Sequence, residues 1–260
     1  MVLILLPPSE GKSAPDDGPL LDIGALSFPE LASLRKTVVT SLTRLCRTDP
    51  NAAAISLGLG VQQRADVAAN ARLRRSPCAP AIEVYAGVLY DSLAYPTLSA
   101  AARRRSNQHL VVASALWGLL RPQDHIPYYR LSGSAHLPGF GTLSHFWKKA
   151  IARSLERVPG LIVDMRSGTY RSLGPVPSSS ADRTVVIRVL HDTAGRRTIV
   201  SHHNKATKGR IARALLEEPR TPRDPAHLAA MLTALGFDNE GVVRVKPGTP
   251  ATIDVVVTAL

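Results

Sequence analysis

Four short segments hold the side chains able to do chemistry. The first, Pro7-Pro8-Ser9-Glu10-Gly11-Lys12-Ser13, places a hydroxyl, a carboxylate and an ammonium directly behind an apolar run. Gly11-Lys12-Ser13 looks like the end of a phosphate-binding loop, but that motif needs a glycine five residues before Gly11. Leu6 stands there, and two prolines remove amides that would cradle phosphate. A Walker-type NTPase is excluded. Two readings remain: Ser9 as nucleophile or positioning hydroxyl with Glu10 as acid/base, or a surface turn with a local Glu10–Lys12 pair.

The second segment runs from Trp117 to Leu131 and is dense in arginine, aromatics and proline. Pro122 and Pro127 favour a defined loop. Arg121 and Arg130 offer planar donor forks suited to phosphate or carboxylate. Tyr128 and Tyr129 either stack on bases or cap the core, so the arginines are the better candidates. In the third, Leu161-Ile162-Val163 ends in Asp164, with Ser167 and Tyr170 close behind. A carboxylate and two hydroxyls at a strand end suit acid/base or nucleophilic work, although Asp and Ser also cap turns for local reasons.

The fourth segment, Ser201 to Arg210, is read as a strand passing into a helix with Asn204 as N-cap. Lys205, Lys208 and Arg210 then fall in its first two turns, where the macrodipole favours acidic residues by ~0.3–1 kcal/mol. Cations placed against that preference, beside free amides, describe an anion site. His202 and His203, adjacent in a strand, would point to opposite faces, so no metal site is expected. Cys46 and Cys78 lack ligand spacing and fit two buried thiols in a reducing compartment. No cofactor is called for. Leu57-Gly58-Leu59-Gly60, between two helical stretches, resembles the turn of a helix-hairpin-helix, but Arg64 occupies the position that motif gives to a small residue.

The elements that must position these groups follow from periodicity. Strands are expected at Val2–Leu6, Leu110–Ala113, Leu161–Val163, Thr184–Leu190, Thr198–His202, Val242–Val245 and Thr252–Val257, and helices over about Pro29–Cys46, Val61–Leu73, Leu143–Arg157, Asn204–Leu216 and Pro225–Leu235. An Asp/Gly turn at His191–Gly195 implies a hairpin, hence antiparallel pairing within an otherwise α/β pattern. The expected architecture is a single mixed α/β domain over 1–260: one mixed sheet, flanking helices and a basic cleft. Gly174–Pro177 and Pro219–Pro225 are read as loops.

The charge balance is 32 basic against 20 acidic residues, a net +12, which attracts nucleic acid and other polyanions. Only seven of the cations are lysine, and an arginine-rich composition can reflect base composition alone, so placement says more than the total. No apolar run approaches the ~18 residues of a membrane span. The first apolar run is too short for a signal peptide, so a cytoplasmic location is expected.

Taken in order, Trp117-Gly118-Leu119-Leu120-Arg121-Pro122, Pro127-Tyr128-Tyr129-Arg130-Leu131, Phe146-Trp147, Asp164 with Ser167 and Tyr170, Lys205 through Arg210, and Gly236-Phe237 before Glu240-Gly241 resemble the YaaA family of peroxide-stress proteins. The resemblance implies an α/β fold with a positively charged cleft, binding of duplex or distorted DNA, and a role in limiting free iron and oxidative damage. On that reading Lys12, Arg121, Arg130, Lys205, Lys208 and Arg210 contact phosphates without reading bases. The competing reading makes the same cleft an active site for a phosphorylated or nucleotide-like small molecule, with Ser9, Glu10, Asp164, Ser167 and Tyr170 as candidate catalytic groups. Convergence of these groups in one deep pocket would favour catalysis; a shallow groove would favour DNA.

Overall fold

The structure, a computed structural model, describes residues 1–193, 196–198, 201–244 and 246–257. Five consecutive apolar residues without alternation make β1 (Val2–Leu6) a strand buried on both faces. A helical stretch follows: α1 (Ala32–Thr48), α2 (Pro50–Leu57) and α3 (Arg64–Arg72). The start of α2 is set by Pro50 at its first turn and by Asp49, whose carboxylate accepts from the Ala52 amide at 2.9 Å. Short elements come next: β2 (Cys78–Pro80), α4 (Ala81–Val84), α5 (Val88–Leu93) and α6 (Ala100–His109), the last capped by Ser99. The chain then forms β3 (Leu110–Ser114), turns back as β4 (Gly118–Leu120), and adds β5 (His125–Pro127), which pairs with β2 apart from the main sheet. The remainder runs α7 (Leu143–Glu156), β6 (Leu161–Asp164), α8 (Gly168–Leu173), β7 (Thr184–Thr193), β8 (Arg196–Thr198), α9 (Ser201–Glu217), α10 (Pro225–Ala234), β9 (Asn239–Val243) and β10 (Ala251–Val257).

The main sheet has the order β4-β3-β1-β6-β7-β10-β9, with β8 added to β7. From β3 to β10 the strands are parallel, while β4, β8 and β9 are antiparallel to their neighbours. The sheet is therefore mixed, as the hairpin signal required. β7 and β8 form that hairpin, with His191 opposite Thr198; Ala194 and Gly195 of its turn lie outside the described residues. Helices pack on the central strands, so β1, β3 and β6 are buried along their whole length. A single apolar cluster runs from Leu31 and Trp117 through β1 and β6 to Ile211, Leu228 and Ile253.

Several expected boundaries move. Of the strand expected over Thr198–His202, Ile199 and Val200 lie outside the described residues, Thr198 ends β8, and Ser201 and His202 already belong to α9. Asn204 is consequently a residue of the helix's first turn and not its N-cap. The two-face argument for His202 and His203 fails with the strand. Lys205, Lys208 and Arg210 sit in the second and third turns, so the macrodipole conflict largely dissolves, because that effect fades within the first turn. Val245, expected to close a strand, also lies outside the described residues.

The Leu57–Gly60 turn joins α2 to a 3-10 turn at Val61–Gln63 and then α3. Gly58 adopts φ 64°, the left-handed conformation that ends a helix, and its amide donates to Ile55 at 3.0 Å while Leu59 donates to Ala54 at 2.8 Å. The Gly60 amide donates to the Gln63 side chain at 3.2 Å. The amides of Gly58, Leu59 and Gly60 are thus engaged inside the turn that joins the two helices.

Candidate functional site

Between β1 and β6 the chain reverses its direction of travel across the sheet, going to β3 on one side and returning to β6 on the other. Loops leaving neighbouring strands diverge at such a point and open a crevice at the carboxyl ends. A cavity of about 570 Å³ lies there, walled by the loop after β1, the start of α5, the loop and helix after β6, the middle of β7 and the first three turns of α9.

Its floor is built on an ion pair. Asp164 and Arg166 are both fully buried, and Arg166 Nε and Nη2 grip the two Asp164 oxygens at 2.9 and 2.7 Å. The Arg166 amide adds a third bond to Asp164 at 3.0 Å, and Nη1 donates to the Gly174 carbonyl at 2.8 Å. A fork so fully engaged fixes the backbone of 164–166 and orients the Met165 carbonyl, which accepts from Lys208 Nζ at 2.9 Å. Ser167 stands at the N-cap position of α8, yet its hydroxyl makes no capping bond. Tyr170 shares the wall, and burial pushes its hydroxyl up to about 12, so it remains a proton donor.

The loop after β1 forms the opposite wall. Its backbone is tied to the Val84–Ala86 segment, with the Ser13 amide donating to Val84 at 2.8 Å and Ala86 donating to Gly11 at 3.2 Å. No helix follows it, which agrees with the exclusion of a phosphate-binding loop. Ser9, Glu10 and Gly11 face the cavity, whereas Lys12 turns behind the loop. Lys12 Nζ donates to the Ser9 carbonyl at 2.6 Å and stands 4.5 Å from the Tyr129 ring centroid. Burial, with Arg130 beside it, pulls the Lys12 ammonium down to about 7. The expected Glu10–Lys12 pair is replaced by Glu10–Arg130: the guanidinium donates to the Glu10 carbonyl at 2.9 Å and to its carboxylate at 3.3 Å. Behind Lys12, the Tyr129 hydroxyl is linked to Tyr85 at 2.9 Å and to Ser114 at 2.8 Å, a buried network that props the wall.

The remaining wall carries Arg188, Lys205 and Lys208. Arg188 is held by Asp254 through two bonds of 2.6 and 2.5 Å. Lys205 is exposed, and Lys208, one helical turn further on, is half-buried. Burial, with Arg171 nearby, pulls the Lys208 ammonium down to about 8, against the opposing pull of Asp164. Asn204 also faces the cavity, and its buried Oδ1 has no hydrogen-bond partner.

The cavity thus gathers Ser9, Glu10, Ser167, Tyr170, Lys205 and Lys208 of the residues singled out in the sequence. Asp164 lies beneath the floor, and Lys12 and Arg130 buttress the loop wall from behind. Arg121 is at the other end of the sheet, where its guanidinium donates to the Gln108 carbonyl at 2.7 Å beside the first residue of β3 and covers Phe28. Arg210 is exposed on α9 outside the lining, bonded to Thr207 at 3.2 Å. Among the described residues, no three His, Cys, Asp or Glu side chains gather as a metal site would require. No helix among them is long and apolar enough to cross a membrane.

A family profile described as peroxide stress protein YaaA matches residues 2–240. The chain belongs to the YaaA family. A UPF0246 protein of Streptomyces coelicolor is 43% identical over 98% of each chain. Another from Corynebacterium efficiens is 42% identical over 98% of this chain and all of its own, and one from Corynebacterium glutamicum is 37% identical with the same coverage. Membership supports a role in peroxide stress. The YaaA resemblance pointed to the right segments but left out Arg166, Arg171 and Arg188, which all line the cavity. The Asp164-x-Arg166 spacing was a readable signal for the first of them, since a carboxylate two residues before an arginine at a buried strand end needs a partner. Arg188, mid-strand opposite Asp254, gives no local signal at all.

Proposed function

We propose that the protein acts in peroxide stress by binding DNA through phosphate contacts at the mouth of this cavity, without reading sequence, and so shields the bound duplex from iron-dependent oxidation. The observation that carries the reading is the balance of the lining: five cations (Arg166, Arg171, Arg188, Lys205 and Lys208) against one carboxylate, Glu10. Asp164 and Asp254 offset two of the five from behind, which leaves Arg171, Lys205 and Lys208 as the cations answering to a ligand. The net charge of +12 adds long-range attraction for a polyanion. The test is fluorescence anisotropy with random-sequence duplexes at low salt. Binding of similar strength to unrelated sequences, weakened by Lys205→Ala, is the expected result; no binding at low salt would sink the reading.

Charge balance supports the first reading, whereas convergence of the hydroxyls and Glu10 with the cations in one cavity supports a second. Ser9, Glu10, Ser167 and Tyr170 line the same cavity as the cations, and about 570 Å³ falls within the range of small-molecule sites. A DNA groove has no need of an enclosed pocket with hydroxyls. On this reading the cavity is an active site for a phosphorylated or nucleotide-like compound, and such a compound would displace duplex competitively.

A further inference from the structure

Of the lysines near the cavity, one is placed for covalent chemistry. Lys12 lines no part of the cavity, and its ammonium is occupied by the loop carbonyls and the Tyr129 ring. Lys205 is open to solvent. Lys208 alone of the three is both half-buried and part of the lining, with Nζ anchored 2.9 Å from the Met165 carbonyl. We propose that Lys208 is an amine nucleophile that forms an imine with an aldehyde borne close to a phosphate, the phosphate being held by Lys205 and Arg171. This inference rests on the cavity taking phosphate groups and goes beyond it by assigning a reaction.

The chemistry balances within the cavity. The lone pair of neutral Lys208 Nζ forms an N–C bond to the carbonyl carbon, while the C=O π pair takes a proton from the Tyr170 hydroxyl. The nitrogen returns a proton to the tyrosinate, giving a neutral carbinolamine. Loss of its hydroxyl as water forms the C=N bond, so amine plus aldehyde become imine plus water, with no oxidant or metal. Tyr170 keeps its proton at neutral pH and can act as donor. Lys208, drawn down to about 8, is roughly a quarter neutral at pH 7.5, against about one part in a thousand for an ordinary lysine. Two substrates share this chemistry: a free sugar phosphate in its open-chain form, and the aldehyde of an abasic site between phosphates in DNA.

The experiment uses the full chain with ribose 5-phosphate, or with a duplex carrying one abasic site, each in sodium cyanoborohydride, followed by peptide mass mapping. The expected result is an adduct at Lys208, formed ~10-fold or more faster than at exposed Lys36. Yield should rise between pH 6.5 and 8.5 and be lost in Lys208→Arg while Lys12→Arg retains it. Capture of only the sugar phosphate assigns a small-molecule substrate; capture of only the abasic duplex assigns DNA. Adducts spread evenly over Lys36, Lys148 and Lys149, or unaffected by Lys208→Arg, would overturn the proposal. An intact duplex that still binds when neither probe is captured would leave the DNA reading standing and remove this one.

Discussion

Asp164 and Arg166 show how a residue that looks catalytic can be structural. A carboxylate at the end of a buried strand invites an acid/base role, but both its oxygens are held by one guanidinium and neither residue reaches solvent. Removing one partner of such a pair leaves the other charged and buried, which costs about 3–5 kcal/mol. Asp164→Asn should therefore lower stability by that amount in urea unfolding, and a change below ~1 kcal/mol would show the pair to be dispensable. The lysines bear a different signature. For Lys12 and Lys208 the folded values, about 7 and about 8, lie below the unfolded one, so the unfolded chain binds more protons between pH 7 and 10. Their contribution to stability thus rises with pH across that window and is least below pH 7. Anion binding has the opposite sign, since a phosphate favours charged Lys208 and its affinity should fall from pH 7 to 9. Isothermal titration at pH 8 in buffers of different ionisation enthalpy should report proton uptake on binding; proton release would contradict it. The cysteines offer no such chemistry. Burial pushes both Cys46 and Cys78 up to about 11, so at neutral pH they are thiols and not the thiolates that react with peroxide.

Helix α9 is the element on which the cavity depends, since it carries Asn204, Lys205 and Lys208 and packs against α5, whose Leu89 borders the same cavity. Gly209 makes that packing possible: a Cβ there would stand 2.1 Å from the Leu89 carbonyl oxygen. Helix propensity alone predicts that Gly209→Ala stabilises by ~1 kcal/mol. The close approach predicts the reverse, a loss of ~1–3 kcal/mol with weakened ligand binding as α9 is pushed off α5. Thermal unfolding decides the sign. The helix also shows what sequence can and cannot reveal. Its apolar spacing at Ile211 and Leu215 was plain, but its start was hidden because Ser201-His202-His203 is neither a strong helix nor a strong strand former. The central strands β1, β3 and β6 were legible as unbroken apolar runs, and the β7–β8 hairpin from its Asp/Gly turn. Short β4 and β5, three residues each, were not: β4 is too short for a periodic signal beside β3, and β5 is a strand by virtue of a partner, β2, distant in the chain.

At the scale of the whole molecule, the site comes from topology. The segments holding Ser9, Tyr170 and Lys208 are far apart in sequence, and meet because β1 and β6 end side by side where the strand order reverses, against the middle of β7. Each segment was visible in the sequence; their convergence was not, since it depends on strand order. The same topology separates Arg121, which follows β4 back to the amino end of β3 and away from the cavity. What the sequence offered as one group of phosphate-contacting cations is thus divided, and the lining draws instead on Arg171 and Lys205 with Lys208. The central claim is that these cations bind a polyanion by charge and without sequence preference. The most direct measurement is the slope of log affinity against log salt for a random duplex, in the wild type and in Lys205→Ala. The account predicts a steep negative slope that becomes shallower by ~0.9 when one phosphate contact is removed, with equal effects on unrelated sequences. A slope near zero, or one unchanged by the substitution, would contradict it.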